Sequence, residues 1–227
     1  MKKVVIITGA NGQLGRAVVA PFIEAGYHVI GLVRKVSDIA QTSGYEVIEV
    51  DLTDETRCQM VIEAIVKKYG NIHVAVLTAG GFAMSDLKSS GLTVLQQQYA
   101  LNFETAYNIA RPVMLQMLTQ DKGRIFLIGS KSGLDVSKAR CSVSYALSKS
   151  LLFRLAELFN GMTKGKNVVT SVVVPSVIDT PQNRSAMPDA DFSSWVAPED
   201  IANNIVYYCS DDADMLREPV LKIYNRS

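Results

Sequence analysis

The chain has 227 residues, of which 48% are hydrophobic, and its formal net charge is +1 at pH 7. This composition allows a sizeable core and predicts a single domain over residues 1–227, while the near-zero charge argues against nucleic acid or an acidic membrane as partner. No apolar run is long enough to span a membrane, and three widely spaced cysteines predict reduced thiols, no metal site and a cytoplasmic protein.

The first element is an apolar run, Val4–Ile7, which predicts a strand buried in a parallel sheet. A glycine-rich turn follows, and Arg16–Ala25 is then predicted to be a helix that Pro21 kinks or shortens. Such a turn lets backbone N–H groups and the helix N-terminus approach a pyrophosphate, although an ordinary strand-to-helix turn is the alternative. The predicted cofactor contacts are Thr8, Gly9, Asn11, Gly12, Gln13, Leu14 and Gly15.

The second predicted strand, His28–Val33, leads directly into Arg34 and Lys35. A dinucleotide-binding fold that prefers NAD places an acidic residue near this point for the ribose hydroxyls. Two cations favour a 2′-phosphate instead, so NADP(H) is the favoured cofactor and NAD(H) the other option. The alternative is that both cations are simply solvated on a loop.

The remaining elements alternate strand and helix through the rest of the chain. Helices are predicted from Asp54 or Thr53 to about Tyr69, over about 92–118 with Asn102 inside it, over about 146–162, and over Pro198–Ser210. This order predicts an α/β fold, a single Rossmann-like doubly wound parallel sheet of about seven strands with helices on both faces. The further predicted strands are Glu46–Val50, Ile72–Leu77, Ile125–Ile128, Val168–Val174 and Val220–Tyr224.

Ligands in such sheets bind at the carboxyl ends of the strands, where several candidate residues fall. Asp51 and Leu52 end the third strand, and the Asp51 carboxylate either contacts an adenine or satisfies loop amides. Ala79, Gly80 and Gly81 end the fourth strand, where a backbone with small side chains leaves room for a ligand. Ser130 and Pro175 end the fifth and sixth strands.

Tyr145 and Lys149, in the stretch Ser-Tyr-Ala-Leu-Ser-Lys, are the candidate catalytic pair. Positions i and i+4 share one face of a helix, so the phenol and the ammonium should lie close together. A nearby cation favours the phenolate, which predicts a lowered pKa for Tyr145. A helix-face pair without a chemical role is the alternative, because the spacing alone is a weak motif.

Residues 180–197 differ in composition from the rest of the chain. The segment is polar, contains prolines and holds the only tryptophan, Trp195. It is too long for an ordinary connection, so we interpret it as a lid over the site.

Together these residues resemble the short-chain dehydrogenase/reductase family across nearly the whole chain. The resemblance implies that Tyr145 donates a proton, Ser130 holds the substrate oxygen, and Lys149 binds the nicotinamide ribose. It also implies that Asn102 anchors a water that relays protons to Lys149. Cofactor contacts from Pro175, Val177, Ile178 and Thr180 are implied as well, Thr180 reaching the nicotinamide carboxamide. The chain departs from the usual pattern at Thr78, at Ser176 and in its glycine spacing.

The active-site serine has two candidates. The usual separation from the tyrosine indicates Ser132, whereas the Ile-Gly-Ser ending of the strand indicates Ser130. We select Ser130, because the loop 134–144 is about two residues longer than is usual for this family.

A narrower resemblance links residues 179–195 to dihydropteridine reductases. Ala79-Gly-Gly81 and the Gly-x-Lys-x-x-Leu-Asp pattern at 129–135 agree with it. Those enzymes lack the usual serine and asparagine, which this chain has. A complete Asn–Ser–Tyr–Lys set is what reduction of an ordinary ketone or aldehyde needs, so the expected function is hydride transfer between the nicotinamide and a small carbonyl or alcohol substrate. Reduction of quinonoid dihydropterin is the alternative.

Two further expectations concern class and assembly. A non-catalytic NADP-binding sensor or scaffold is the alternative from another class of protein, and the intact tyrosine–lysine pair argues against it. Leu151, Phe153, Leu155 and Phe159 exceed what one buried helix stripe needs. We therefore expect a homodimer, with a tetramer as the larger option.

Overall fold

A computed structural model describes residues 2–36 and 44–226. Within them, seven parallel strands form one sheet in the order β3-β2-β1-β4-β5-β6-β7. The predicted doubly wound sheet is confirmed, and each predicted strand is present with its bounds shifted by a few residues at most. The strands are β1 Val4–Thr8, β2 His28–Val33, β3 Tyr45–Glu49, β4 Val74–Leu77, β5 Lys122–Ile128, β6 Asn167–Pro175 and β7 Val220–Ile223.

Helices cover both faces of the sheet and account for the two apolar cores. One core packs α2, α4 and α6 against the strands, and the other packs α1 and α8 against the opposite face. Because β1, β4 and residues 125–128 of β5 are buried on both faces, all of their residues except Thr8 are apolar, without alternation. The helices are α1 Gln13–Glu24, α2 Glu55–Tyr69, α3 Leu92–Tyr99, α4 Thr105–Gln120, α5 Lys131–Leu134, α6 Val143–Met162, α7 Pro181–Ala186 and α8 Pro198–Tyr207.

Three details of the helices differ from expectation. Pro21 lies inside α1, which still runs for 12 residues, so the proline does not shorten it. The predicted helix over 92–118 is two α-helices joined by a π turn, Ala100–Glu104. The helix of Tyr145 begins at Val143, which places the tyrosine in its first turn.

The apolar residues of α6 are distributed differently from the expectation that supported a homodimer. Phe153, Leu155 and Phe159 are all buried within the chain, and Leu151 is exposed. The prediction that these residues exceed the apolar surface that the chain itself buries is therefore wrong for Phe153, Leu155 and Phe159. A different apolar stripe is exposed on the same helix, formed by Leu147, Leu151, Leu158 and Met162.

Within residues 2–36 and 44–226, no helix is long and apolar enough to cross a membrane.

Candidate active site

The carboxyl ends of β1 and β4 are tied together by two threonines. The Thr78 hydroxyl donates to the Thr8 carbonyl at 2.6 Å, and the Ala79 N–H donates to the Thr8 hydroxyl at 3.1 Å. Thr8 is buried, so its side chain braces the two strand ends. Thr78, a departure from the family pattern, performs this bracing through its hydroxyl.

The glycine turn has the geometry of an anion-binding helix N-terminus. Gly9 has a φ of +61°, and a Cβ on Gly15 would lie 2.1 Å from the Gly9 carbonyl oxygen. No side chain caps α1 at Gly12, so the first N–H groups of the helix are available to a phosphate. These residues fit a dinucleotide pyrophosphate.

Lys149 is buried behind the strand ends, with its side chain on the same side of α6 as Tyr145. Its Nζ donates to the Ile128 carbonyl at 2.7 Å and lies 5.9 Å from the centroid of the Tyr145 ring. Burial lowers the pKa of Lys149 to about 8. The sequence motif did not indicate the Ile128 carbonyl, because a backbone acceptor leaves no residue signature.

Tyr145 has a raised pKa. Burial raises it, and the hydrogen bond with Ser130 lowers it by less. The expectation that Lys149 lowers the pKa of Tyr145 is therefore wrong for this geometry. The phenol is the form favoured at neutral pH.

The two candidate serines lie side by side at the N-terminus of α5. The Ser130 hydroxyl accepts the Gly133 N–H at 3.0 Å and lies 3.2 Å from the Ser132 hydroxyl. Of the two serines, Ser130 is the one close enough to Tyr145 to lower its pKa. This contact supports the choice of Ser130, whose role in binding the substrate oxygen stays a prediction.

Asn102 lies in the π turn and is fully buried. Its Oδ1 accepts the Gly81 N–H and its Nδ2 donates to the Gly81 carbonyl, both at 3.0 Å. Nδ2 also lies 3.2 Å from the Ser148 hydroxyl, which donates to the Tyr145 carbonyl at 2.8 Å. Asn102 thus links the loop after β4 to the helix of the catalytic pair. Its proposed hold on a water is not tested by these contacts.

Two residues are predicted to lie near the adenosine part of the cofactor. Arg34 follows β2 and Asp51 follows the neighbouring strand β3. Arg34 is exposed. The Asp51 carboxylate accepts the Thr53 N–H and hydroxyl, which lowers the pKa of Asp51, and the charge of Arg34 lowers it further. The loop-amide interpretation of Asp51 is thus observed, and its contact with an adenine stays a prediction. Leu52 is buried, and its carbonyl accepts the Asn108 amide at 2.9 Å.

The segment after β6 places its predicted cofactor residues beside the site. Pro175 is buried at the strand end, and Val177 and Ile178 are half-buried. The Thr180 hydroxyl accepts the Asn183 N–H at 3.2 Å and so caps α7. This cap accounts for a threonine at that position, and its contact with a nicotinamide stays a prediction.

One residue near the catalytic pair escaped the sequence analysis. The Phe82 ring meets the Tyr145 ring edge-on, with centroids 5.0 Å apart, and 62% of Phe82 is exposed. The position of this aromatic residue, directly after Ala79-Gly-Gly81, is the sequence signal that could have placed it at the site.

The profile of the family described as short chain dehydrogenase matches residues 3–191. The chain belongs to the short-chain dehydrogenase/reductase family, an enzyme family of oxidoreductases. It is 26% identical to the uncharacterized oxidoreductase YvrD of Bacillus subtilis, the alignment covering 95% of this chain and 92% of YvrD. It is also 26% identical to an acetoacetyl-CoA reductase of Paracoccus denitrificans, over 95% of this chain and 94% of that protein.

The solved structures share the fold. A structure of ElxO with NADP bound superposes with a TM-score of 0.89 at 23% identity, covering 98% of this chain and 97% of ElxO. An ElxO variant with phenylalanine in place of a tyrosine, solved with NADPH bound, gives a TM-score of 0.88. The narrower resemblance to dihydropteridine reductases is not tested by these likenesses and stays a prediction.

Proposed function

We propose that this oxidoreductase reduces a small carbonyl substrate with NADPH, using Tyr145 as the proton donor. The arrangement that carries the proposal is Tyr145 and buried Lys149 on one side of α6, with Ser130 beside Tyr145 at the carboxyl edge of the sheet. Two hydroxyls side by side can both donate to one substrate oxygen. The Tyr145 phenol carries the proton that would be transferred.

The cofactor's nicotinamide would supply the hydride. The glycine turn would bind its pyrophosphate, and Lys149 with the segment from Pro175 to Thr180 would hold the nicotinamide end. Negative charge then grows on the carbonyl oxygen, where Ser130 and Tyr145 donate hydrogen bonds that strengthen as the charge develops. Tyr145 completes the reduction by giving up its proton.

The substitution Tyr145→Phe tests this proposal. It removes the proton donor and retains the ring, so kcat should fall by at least about 100-fold while NADPH still binds. The control is Tyr207→Phe, at an exposed tyrosine on α8, which should keep its activity. Turnover retained in Tyr145→Phe would contradict the assignment.

We infer NADPH over NADH from the position of Arg34. Arg34 is exposed just after β2, close enough to Asp51 for its charge to act on that carboxylate. The solved structure of ElxO with NADP bound is consistent with this preference. Arg34→Ala should lower kcat/KM with NADPH and leave that with NADH nearly unchanged, whereas Lys67→Ala on α2 should change neither. Equal losses with both cofactors would contradict the inference.

Reduction of quinonoid dihydropterin is the second candidate. Phe82, exposed at the edge of the Tyr145 ring, offers an aromatic surface to a flat substrate. NADPH and NADH oxidation should be compared with quinonoid dihydropterin, a quinone, and simple aldehydes and ketones. Preference for the dihydropterin would select this candidate, and preference for the ketones would select the first. Tight NADPH binding without oxidation of any of them would favour the non-catalytic sensor.

A homodimer and a cytoplasmic location complete the proposal. Leu147, Leu151, Leu158 and Met162 follow the helical spacing and form one exposed apolar stripe on α6. A second copy of the chain would bury this stripe. Light scattering should give twice the chain mass, and Leu158→Asp should give the monomer mass. A monomeric wild-type protein would contradict the homodimer.

The cytoplasmic location is supported by three free thiols.

A further inference from the structure

Residues 179–195 form a loop that is closed at its base. The Asp179 N–H donates to the Val196 carbonyl at 2.8 Å, and the Val196 N–H donates to the Val177 carbonyl at 3.0 Å. The two ends of the loop are therefore held side by side, which is the mark of an Ω-loop. We call residues 179–186 the inner limb and residues 191–195 the outer limb.

Apolar burial does not fix the loop between its ends. No residue from 181 to 194 is buried, and α7 has no buried residue. A segment with so little buried apolar surface opens locally at small cost unless polar contacts restrain it.

Arg184 provides contacts to both limbs. Its Nε and one terminal nitrogen donate to the two Asp179 carboxylate oxygens at 2.6 and 2.7 Å. Its guanidinium carbon also lies 4.8 Å from the centroid of the Phe192 ring. A single side chain therefore joins the base of the inner limb to the outer limb.

The outer limb is in turn attached to the body of the protein. The Phe192 ring lies 4.8 Å from the ring of Trp195, which is buried. The Asn225 amide donates to the Trp195 carbonyl at 2.8 Å and to the Ser193 carbonyl at 3.1 Å. The contacts thus run without a break from Asp179 through Arg184 and Phe192 to the C-terminal turn.

The base of the loop lies beside the cofactor side of the site. β6 ends at Pro175, residues 176–178 join it to Asp179, where the inner limb begins, and Thr180 caps α7 within that limb. An open cleft of about 640 Å³ lies at this base, lined mostly by α1 and α8 together with Asp179 and Pro181, and Gln13 at the start of α1 is part of its lining. The base of the loop therefore adjoins the start of α1, where the predicted pyrophosphate-binding turn meets the helix.

We propose that Arg184 is a positioning residue that joins the two limbs and so holds the loop in one arrangement at the active site. Its kinetic consequence rests on the proposed reductase function, and its effect on the loop does not. Arginine suits the position because its planar fork binds a carboxylate through two parallel hydrogen bonds and lies flat on an aromatic ring. Lysine would bring a compact charge without the planar fork that binds Asp179 and lies on the Phe192 ring.

The test compares Arg184→Ala, Arg184→Lys and the control Arg57→Ala, at an exposed arginine on α2. Trp195 is the only tryptophan, so its fluorescence reports on the outer limb alone. Chymotrypsin, which cleaves after aromatic residues, reports on the exposure of Phe192. Arg184→Ala should shift the Trp195 spectrum and speed cleavage after Phe192, Arg184→Lys should do both to a lesser degree, and Arg57→Ala should do neither.

The kinetic measurement uses the substrate that the wild-type enzyme reduces best. Arg184→Ala should raise KM about two- to fivefold, the range that one exposed ion pair allows, with kcat changed by less than about twofold. Fluorescence and cleavage identical to those of Arg57→Ala would overturn the proposal. Altered fluorescence and cleavage with an unchanged KM would overturn its role at the active site. If no substrate is reduced, the two loop measurements still decide whether Arg184 joins the limbs, so failure of the proposed function is recognised separately.

Discussion

The candidate catalytic corner, formed by Asn102, Ser130, Tyr145 and Lys149, and the 179–195 loop lie on the same edge of the sheet and are held in opposite ways. Asn102 and Lys149 are buried, and their polar atoms bind backbone groups of Gly81 and Ile128. Arg184 and Asp179 bind each other on the exposed surface of the loop. Buried contacts of the first kind fix atoms closely because the packing around them cannot yield. Exposed contacts of the second kind can break and re-form as a ligand enters.

The largest effect that we expect from this difference in burial is a pH dependence of the free energy of unfolding, caused by Lys149. Its pKa is about 8 in the folded protein and has an ordinary value of 10.5. Below pH 8 both folded and unfolded forms carry the proton, so the burial cost is constant. Between about pH 8 and 10.5 the unfolded form binds more protons, and the free energy of unfolding should rise with pH by about 3 kcal/mol.

Urea denaturation of wild-type protein and Lys149→Met across that pH range measures this contribution. The wild-type free energy of unfolding should gain on that of the variant as pH rises. Other titrating groups are common to both proteins and largely cancel in the difference. Parallel pH profiles would show that the ammonium is not buried as the structure indicates.

Close packing at the corner predicts the next largest effect. A Cβ on Gly133 would lie 2.7 Å from the Lys149 Cβ and 3.0 Å from the Lys149 carbonyl carbon. Gly133→Ala should destabilise the protein by about 1–3 kcal/mol and reduce activity, because helix backbone must move. Gly161→Ala is the matched control on the same helix as Lys149, since its Cβ would meet nothing within 4 Å. It should stabilise by roughly 0.5–1 kcal/mol. Equal stability of the two variants would mean that the corner tolerates displacement.

The smallest effect is expected at the loop. Asn225 has a φ of +52°, which glycine and aspartate tolerate, so Asn225→Gly and Asn225→Asp remove the amide donor with little backbone strain. Both variants should shift the Trp195 fluorescence and lower the free energy of unfolding by less than about 1 kcal/mol. A loss comparable to that of Gly133→Ala would show that the loop is as rigidly held as the buried residues around Lys149.

The strands and most helices could be predicted from the sequence because their signals are local. Runs such as Val4–Ile7 are apolar without alternation, and Asp54 caps α2 through the Arg57 N–H as expected of an N-terminal aspartate. The doubly wound parallel sheet also follows from the alternation of strands and helices. What failed was the distribution of apolar residues on α6, since burial depends on neighbours that are distant in sequence.

The site residues could be located from motifs, whereas their electrostatics could not. The i, i+4 spacing brought Tyr145 and Lys149 to one side of α6, yet the sign of the shift in the Tyr145 pKa was predicted wrongly. Burial outweighs the other effects there, and spacing along a helix carries no information on burial. The role of Arg184 depends on a contact with Phe192, eight residues further along an irregular loop, for which no periodicity exists.

The π turn at Ala100–Glu104 sets a strict requirement on chain length. Its closing hydrogen bond runs from the Thr105 N–H to the Ala100 carbonyl, so this turn holds one residue more than an α-helical turn. Loss of one residue here would restore the ordinary pitch and rotate the preceding helix by about 100° relative to the following one. Asn102 would then point away from Gly81. Homologues that keep this asparagine should therefore tolerate insertions and deletions before Gly91 far better than between Gly91 and Thr105.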